Sequence, residues 1–261
     1  MIKKTQANKS LKVAVITGGA RGIGLGIAQR FQQENYQVII LDRDKATLQQ
    51  CKAQLKGQQR YAFFLCDVAN PRQVQTVFDK INAQFHQIDA LINNAGIALF
   101  KPAQDISFAE WSDIMATNLN GTFLCSQAAL PALLLAQGCI VNIASISGVR
   151  ASTLRVAYGT SKAAIMHLTK QHAVEYGNKG VRVNAVAPGP VETEMAKLVH
   201  SADIRTSYKD AIPLARYGSV EEIANVVYFL CSPEASYING QIVAVDGGFD
   251  AAGVGLPSLR G

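Results

Sequence analysis

The sequence has little of what marks secreted, metal-binding or membrane-spanning proteins. Its five cysteines are odd in number and lack metal-site spacing, and its four histidines form no ligand-spaced cluster, so no metal is assigned. The first eleven residues are polar and contain lysine, unlike a secretory signal. No run approaches about 18 apolar residues, so we expect no membrane partner. These absences predict a cytoplasmic protein with reduced, buried thiols.

Blocks of like charge are also absent. The 25 Lys and Arg exceed the 19 Asp and Glu, for a formal net charge of +6, but the positive residues are scattered singly. A basic protein can bind nucleic acid, a membrane surface or an anionic small ligand. Because no block of five or six like charges is present, we expect no nucleic-acid partner.

What the sequence does contain is a regular alternation of strand and helix patterns. The predicted strands, mostly continuous apolar runs, are residues 11–17, 37–41, 61–66, 88–93, 139–144, 181–187 and 241–245. The predicted helices are residues 23–34, 44–55, 71–85, 107–136, 157–178 and 219–231. Continuously apolar strands suit a sheet covered on both faces, and alternation with helices indicates right-handed βαβ units. We therefore predict an α/β fold: a doubly wound parallel sheet of about seven strands in one Rossmann-type domain over residues 1–261, with ligands at the carboxyl ends of the strands.

A glycine-rich turn at residues 17–24 (TGGARGIG) follows the first strand. Small residues there let the backbone approach a pyrophosphate at the N-terminus of the next helix. The usual GxGxxG spacing is not met, because Ile27 stands where a third glycine is needed. Asp42 ends the second strand 18 residues after Gly24, a spacing typical of a carboxylate that binds ribose. The alternative for Asp42 is an N-cap of the helix that starts near Asp44.

Three further residues indicate proton-transfer chemistry. Tyr158 and Lys162 are four residues apart and share one face of a predicted helix, while Ser145 directly follows an apolar strand. A phenol with a pKa near 10 is a poor base at neutral pH, and a nearby ammonium group is expected to lower that pKa. A serine hydroxyl can hold the reacting oxygen. The set suits moving a proton on an alcohol or carbonyl oxygen.

Together these motifs resemble the short-chain dehydrogenase/reductase family over about residues 10–249. The motifs that carry the resemblance are Thr17-Gly18-x3-Gly22-x-Gly24, Asp67-Val68, Asn93-Asn94-Ala95-Gly96, Asn118, Ser145, Tyr158-x3-Lys162, Pro188-Gly189 and Thr193. The resemblance implies an NAD(P)-dependent oxidoreductase that transfers hydride at a secondary alcohol or ketone. It implies that Tyr158 is the general acid/base, that Lys162 lowers its pKa, that Ser145 orients the substrate oxygen and that Asn118 supports a water relay. Taken alone, Asn118 could instead merely kink its helix.

The resemblance also implies a cofactor site with sixteen members. They are Gly18, Arg21, Gly22, Ile23, Gly24, Asp42, Asp67, Val68, Asn94, Gly96, Tyr158, Lys162, Pro188, Gly189, Val191 and Thr193. Arg21 stands where enzymes of the family that use NADP often carry a base, but Asp42 would repel a 2′-phosphate. We therefore expect NAD as the cofactor, with NADP the less favoured alternative.

The substrate is less defined than the cofactor. The resemblance implies a lid at 194–212, and we expect a small alcohol, hydroxyketone or polyol. One alternative is a 3-oxoacyl-[acyl-carrier-protein] reductase that uses NADPH, which Asp42 and the absence of a basic cluster at 133–137 disfavour. Another is a non-catalytic dinucleotide-sensing regulator, which the complete catalytic set disfavours.

Self-association is the expected interaction besides a small-molecule substrate. The helical stretches 107–136 and 157–178 carry more apolar residues than one sheet-facing stripe requires. In the family that the chain resembles, these helices form a contact between subunits, so we expect a homotetramer. Residues 1–10 are expected to be a polar tail. The extension at 251–261 is too rich in glycine and proline for a helix, and its Leu256 and Leu259 are expected to reach a neighbouring subunit.

Overall fold

The computed structural model describes residues 11–253, with Met195 by its backbone alone. The tail at 1–10 lies outside the described residues, as does the extension at 251–261 beyond Gly253, including Leu256 and Leu259. The strands are β1 (Val13–Thr17), β2 (Gln37–Asp42), β3 (Tyr61–Leu65), β4 (Ala90–Asn93), β5 (Cys139–Ile143), β6 (Arg182–Pro188) and β7 (Ile242–Val245). They form one sheet in the order β3-β2-β1-β4-β5-β6-β7. Every pairing is parallel, which confirms the predicted doubly wound sheet.

The helices cover both faces of that sheet. They are α1 (Gly22–Gln33), α2 (Lys45–Gln54), α3 (Pro71–Phe85), α4 (Phe108–Met115), α5 (Gly121–Ala136), α6 (Ile146–Val149), α7 (Val156–Gly177), α8 (Glu194–Val199), α9 (Ala202–Ala211) and α10 (Val220–Cys231). One apolar core lies between the sheet and α1 and α10, and the other between the sheet and α3 and α5. This two-sided cover explains why every residue of β1 and β5 is buried.

Local sequence sets where the helices begin. Asn70 accepts hydrogen bonds from the first turn of α3, and Pro71 takes the first helical position, where its missing N–H costs nothing. Ser219 and Glu222 form a reciprocal capping box at the start of α10. The predicted lid at 194–212 is itself helical, because α8 and α9 begin at the caps Thr193 and Ser201.

The predicted helix 107–136 contains a wider turn. Between α4 and α5, Ala116–Asn120 form a π-helical turn, in which the N–H of Gly121 donates to the carbonyl of Ala116, five residues earlier. The combined helix Phe108–Ala136 is long and apolar enough to cross a membrane by length and composition, although its apolar residues do not form one continuous run. Its apolar inner face packs on α3, α7 and the sheet, as in the core helix of a folded domain. The absence of a membrane partner stays a prediction.

The five cysteines are buried as free thiols. They belong to different elements of the fold and pack as small apolar side chains in the two cores. Burial raises the pKa of Cys51 and of Cys66 to about 11. The prediction of buried thiols is confirmed.

Candidate active site

The candidate site lies along the carboxyl edge of the sheet. There β1 leads into the glycine-rich turn, β2 ends at Asp42, and β5 is followed by Ser145. All strands are parallel, so these strand ends meet on the same edge. Residues distant in the sequence are thereby brought to one cleft.

Glycine is required at three positions of the turn for three different reasons. Gly18 has a left-handed backbone with φ of 59°, and a Cβ there would lie 2.9 Å from Cα of Ala95. At Gly24 a Cβ would lie 2.2 Å from the carbonyl oxygen of Gly18, so α1 packs directly against the turn. At Gly22, with φ of 54°, a Cβ would meet nothing within 4 Å. That side of the turn is open to an incoming ligand.

Asn94 holds the turn against the end of β4. Its Nδ2 donates to the carbonyls of Thr17 at 3.0 Å and Gly18 at 2.9 Å. In return, Oγ1 of Thr17 accepts hydrogen bonds from the N–H groups of Asn94 and Ala95, both at 3.0 Å. The resemblance implied that Asn94 lines the cofactor, and the structure shows that its amide fixes the shape of the turn.

Asp42 connects the turn to β2. Its half-buried carboxylate accepts a hydrogen bond from the N–H of Ala20 at 3.4 Å and another from the N–H of Asp44 at 3.1 Å. The N-cap of α2 is Asp44, which accepts from two N–H groups of the first turn. The alternative of Asp42 as the helix cap is therefore wrong. Arg21 lies in the glycine-rich turn, directly before α1, and is exposed.

Asp67 and Val68 follow β3 on the same edge. One carboxylate oxygen of Asp67 accepts a hydrogen bond from the N–H of Ala69 at 3.0 Å. Val68 is buried against the start of α5, where a Cβ on Gly121 would lie 2.7 Å from its side chain. Both residues therefore occupy defined positions beside the cleft.

Ser145 and Tyr158 form the reactive centre of the candidate site. Ser145 begins α6, accepts a hydrogen bond from the N–H of Ser147 at 3.2 Å and is hydrogen-bonded to Tyr158. Burial raises the pKa of Tyr158 above its ordinary value, against the lowering effects of the Ser145 hydrogen bond and the Arg155 charge. The sequence had predicted that Lys162 would lower this pKa. In this structure burial outweighs the nearby charges, and the cation that lowers the pKa is Arg155, so the effect of Lys162 stays a prediction.

Lys162 is buried one helical turn beyond Tyr158. Its Nζ lies 5.7 Å from the Tyr158 ring centroid and donates to the carbonyl of Ile143 at 2.7 Å. Burial lowers the pKa of Lys162 to about 8. A Cβ on Gly96 would lie 3.4 Å from this Nζ, so glycine there keeps space open beside the ammonium group.

Asn118 lies in the π-helical turn and is fully buried. Its Oδ1 accepts from the N–H of Ile97 at 2.8 Å, and its Nδ2 donates to the carbonyl of Ile97 at 3.0 Å. The same Nδ2 donates to Oγ of Ser161 at 2.9 Å. The side chain thus joins the segment after β4 to α7. The wide turn is the helix irregularity that the sequence allowed, and a part for Asn118 in a water relay stays a prediction.

The remaining predicted cofactor residues follow β6. Gly189 comes directly after Pro188, and a Cβ on it would lie 2.8 Å from Cα of Asp246, so the chain crosses closely over the end of β7. Val191 is buried, and Thr193 caps α8 with its hydroxyl. Ile23 lies in the first turn of α1, so all the predicted site residues border this edge.

The sequence motifs included Asn93 but missed the other polar residues that support the site. Beneath it, Nδ2 of Asn93 donates to Oδ1 of Asn142 at 2.9 Å, and Nδ2 of Asn142 donates to Oγ1 of Thr169 at 2.9 Å. The sequence could have predicted this network, because asparagines inside otherwise apolar strands need hydrogen-bond partners when they are buried. Ser161 and Arg155 were also missed, since they stand beside the Tyr158 motif without a distinctive spacing.

These residues fit a dinucleotide cofactor. The open side of Gly22 at a helix N-terminus suits a pyrophosphate, and Asp42 presents a carboxylate at the end of the next strand. Lys162 donates to only one carbonyl in the described part of the chain, and an ammonium group has three donors. Those spare donors lie beside the open position at Gly96, where ligand hydroxyls could accept them.

Comparison with known proteins agrees with this geometry. A family model described as "Enoyl-(Acyl carrier protein) reductase" matches residues 18–250. The 3-oxoacyl-[acyl-carrier-protein] reductase FabG of Aquifex aeolicus is 39% identical over 242 residues, which cover 91% of this chain and 96% of that protein. The D-threitol dehydrogenase of Mycolicibacterium smegmatis is 38% identical over 240 residues, covering 91% of this chain and 92% of that protein.

Solved structures are similar over nearly the whole chain. One is a gluconate 5-dehydrogenase from Burkholderia cenocepacia in complex with NADP and tartrate, with a TM-score of 0.88 and 31% identity. The match covers 93% of this chain and 96% of that one. A second, described as ElxO with NADP bound, has a TM-score of 0.86 and 31% identity, and covers 92% of this chain and 99% of that one.

Proposed function

We propose that this chain, which belongs to the short-chain dehydrogenase/reductase family and is therefore an oxidoreductase, interconverts a small secondary alcohol and its ketone with NAD(H). The observation that carries the proposal is the half-buried Tyr158 with the buried Ser145 and Lys162, beside an open glycine turn. A proton-transfer group and a dinucleotide-shaped edge share one cleft, as hydride transfer at a carbinol carbon requires.

The chain's own residues handle the proton. In oxidation, Ser145 donates a hydrogen bond to the substrate oxygen, and the Tyr158 oxygen accepts the hydroxyl proton. Lys162 holds its ammonium group 5.7 Å from the Tyr158 ring centroid, where a positive charge would favour the ionised phenol. Asn118 holds α7 against the segment after β4, and thereby positions Tyr158 and Lys162. When bound, the nicotinamide supplies the hydride acceptor, so one proton and one hydride leave the alcohol and a ketone forms.

Asp42 supports NAD as the preferred cofactor. Its carboxylate is held at the end of β2 by two backbone N–H groups, so it is not free to swing away. A fixed negative charge repels a 2′-phosphate, whereas the exposed Arg21 only attracts one. Two of the similar solved structures contain NADP, which favours NADP as the cofactor of those proteins. Wild-type kcat/KM with both cofactors decides between them.

Reduction of 3-oxoacyl groups on acyl carrier protein is the second candidate. It is favoured by the FabG relatives, which are 36–39% identical to this chain. A panel of secondary alcohols, diols, sugars and 3-hydroxyacyl thioesters, each assayed with NAD and with NADP, separates the two. We expect turnover of small alcohols with NAD. Turnover of thioesters alone with NADP would establish the reductase, and no turnover of any compound would contradict both enzymes.

We also propose a cytoplasmic homotetramer. Large apolar side chains on α5 and α7 are exposed in the single chain, including Phe123 at 43%, Leu135 at 76% and Val174 at 80%. Such a face is expected to be covered by a second copy, and self-complementary faces close into symmetric assemblies. The five buried free thiols suit a reducing compartment. Within each subunit, we propose one domain with residues 194–212 as the substrate lid.

A further inference from the structure

A cation that the sequence patterns did not single out lies beside Tyr158. The guanidinium carbon of Arg155 is 4.2 Å from the Phe100 ring centroid and 5.5 Å from the Tyr158 ring centroid. Its side chain is half-buried, and within residues 11–253 no carboxylate pairs with it. Stacking on rings leaves the edge of the guanidinium, with its N–H donors, available to an acceptor.

Two acidic side chains of the surrounding segments have other partners. Glu110 pairs with Lys101 at 3.0 Å, next to Phe100, and Glu192 pairs with Arg205. On the other side lies His200, whose pKa is lowered by burial and further by the charges of Arg155 and Arg205. A neutral imidazole does not balance the guanidinium. The positive charge of Arg155 beside the Tyr158 ring is therefore available to a ligand.

The backbone holds Arg155 in this place. Leu154 has a left-handed conformation with φ of 63°, which is costly for a side chain with a Cβ. The strained residue is held by a hydrogen bond from the N–H of Lys101 to its carbonyl at 3.1 Å. Arg155 then starts α7, and Gly159 donates to its carbonyl at 2.7 Å. Tyr158 follows three residues later, on the same helix face. Backbone strain beside a reactive centre is typical of a residue with a positioning role.

We propose, resting on the proposed function, that Arg155 binds a carboxylate of the substrate and that the preferred substrates are small hydroxy acids rather than neutral alcohols. A planar guanidinium matches a carboxylate with two parallel hydrogen bonds. The carboxylate lies within a few carbon atoms of the reacting carbon, because Arg155 and Tyr158 are neighbours. The bound acid thus places its hydroxyl at Ser145 and Tyr158.

Paired substrates test the proposal kinetically. Each acid is compared with the neutral alcohol of the same skeleton: 3-hydroxybutyrate with butane-1,3-diol, and gluconate with glucitol. In the wild type, we expect kcat/KM to be roughly 10- to 100-fold higher for the acid, as for a hydrogen-bonded charge pair. Arg155→Gln is expected to reduce that ratio towards one, mainly through KM. Arg155→Lys is expected to restore part of it, because the charge remains without the planar fork.

The matched control is Arg60→Gln. It removes the same charge at the amino end of β3, where Arg60 is hydrogen-bonded to Asn35 at 2.6 Å. This variant is expected to keep the wild-type ratio of acid to neutral substrate. A wild type that prefers the neutral partners, or an Arg155→Gln variant with an unchanged ratio, overturns the proposal.

A binding measurement separates this proposal from the proposed function. Malonate is titrated against the protein without cofactor at constant ionic strength, and the melting temperature is followed. We expect malonate to raise the melting temperature of the wild type and of Arg60→Gln, and not that of Arg155→Gln. An equal shift in all three proteins, or no shift in the wild type, overturns the carboxylate site. Absence of turnover with every alcohol would contradict the proposed function. The shift in melting temperature would still show whether Arg155 binds a carboxylate.

Discussion

Gly24→Ala tests whether the glycine turn closes by direct contact with α1. A Cβ at position 24 would lie 2.2 Å from the carbonyl oxygen of Gly18 and 2.5 Å from Nδ2 of Asn94. The first neighbour is backbone, and the second is held by its two hydrogen bonds to the turn. The Gly18 carbonyl can move away only if α1 separates from the turn. The Asn94 amide can move away only if it loses its hydrogen bonds to the turn.

The cost of Gly24→Ala follows from those two responses. Overpacking costs about 1–3 kcal/mol. Losing the two Asn94 hydrogen bonds adds about 0.5–1.5 kcal/mol for each. We expect the free energy of unfolding, measured by urea titration, to fall by about 2–6 kcal/mol. Affinity for NADH, measured by fluorescence titration, is expected to fall at least roughly tenfold, because the displaced turn no longer fits a pyrophosphate.

Gly57→Ala is the matched control for this prediction. Unlike Gly24, Gly57 has a left-handed backbone, with φ of 85°, and a Cβ there would meet nothing within 4 Å. It follows α2, away from the cleft. We expect Gly57→Ala to lower the free energy of unfolding by only about 1–2 kcal/mol, the cost of placing a residue with a Cβ in a left-handed conformation. Its affinity for the cofactor is expected to be unchanged. If Gly24→Ala loses no more stability or affinity than Gly57→Ala, the packing argument is refuted.

Further predictions concern the cofactor, the lysine and the assembly. Asp42→Ala is expected to raise kcat/KM with NADP relative to NAD, because it removes a fixed negative charge; a wild type that already prefers NADP would contradict this. Burial lowers the pKa of Lys162 from 10.5 to about 8, so the unfolded chain binds more protons between these values. Its contribution to stability therefore rises with pH, by up to about 3 kcal/mol. The free energy of unfolding of the wild type and of Lys162→Met is measured by urea titration from pH 8 to pH 10.5. Over this range the wild type is expected to gain that amount of stability relative to Lys162→Met, and a difference that does not change with pH would contradict the burial argument. Light scattering coupled to size exclusion is expected to give about four times 28.0 kDa, and a monomer at micromolar concentration would refute the tetramer.

Most of the fold was predictable because its strands are buried on both faces. A continuous apolar run such as Val13–Thr17 can only be a covered strand or a buried helix, and its short length favours the strand. The glycines and Asp42 were recognisable because close approach to a dinucleotide constrains residue type at fixed spacing. The sequence therefore predicts those parts of the molecule in which local sequence preference and position in the fold favour the same structure.

The site details that escaped prediction depend on tertiary structure. The π-helical turn at Asn118 adds one residue to a helix whose apolar pattern looks regular. The pKa of Tyr158 is set by burial that only the folded cleft produces. The position of Arg155 depends on the left-handed conformation of Leu154, which a leucine in the sequence does not predict. These three departures from local preference lie at or beside the candidate site.

The most direct test of the central claim is Tyr158→Phe. The substitution removes the hydroxyl that is hydrogen-bonded to Ser145 and leaves the ring in place. With the best substrate of the panel, kcat is expected to fall at least roughly 100-fold, as for loss of a general base. Titration with NADH is expected to give an affinity near that of the wild type. A Tyr158→Phe variant with comparable turnover would show that proton transfer occurs elsewhere and would contradict the account.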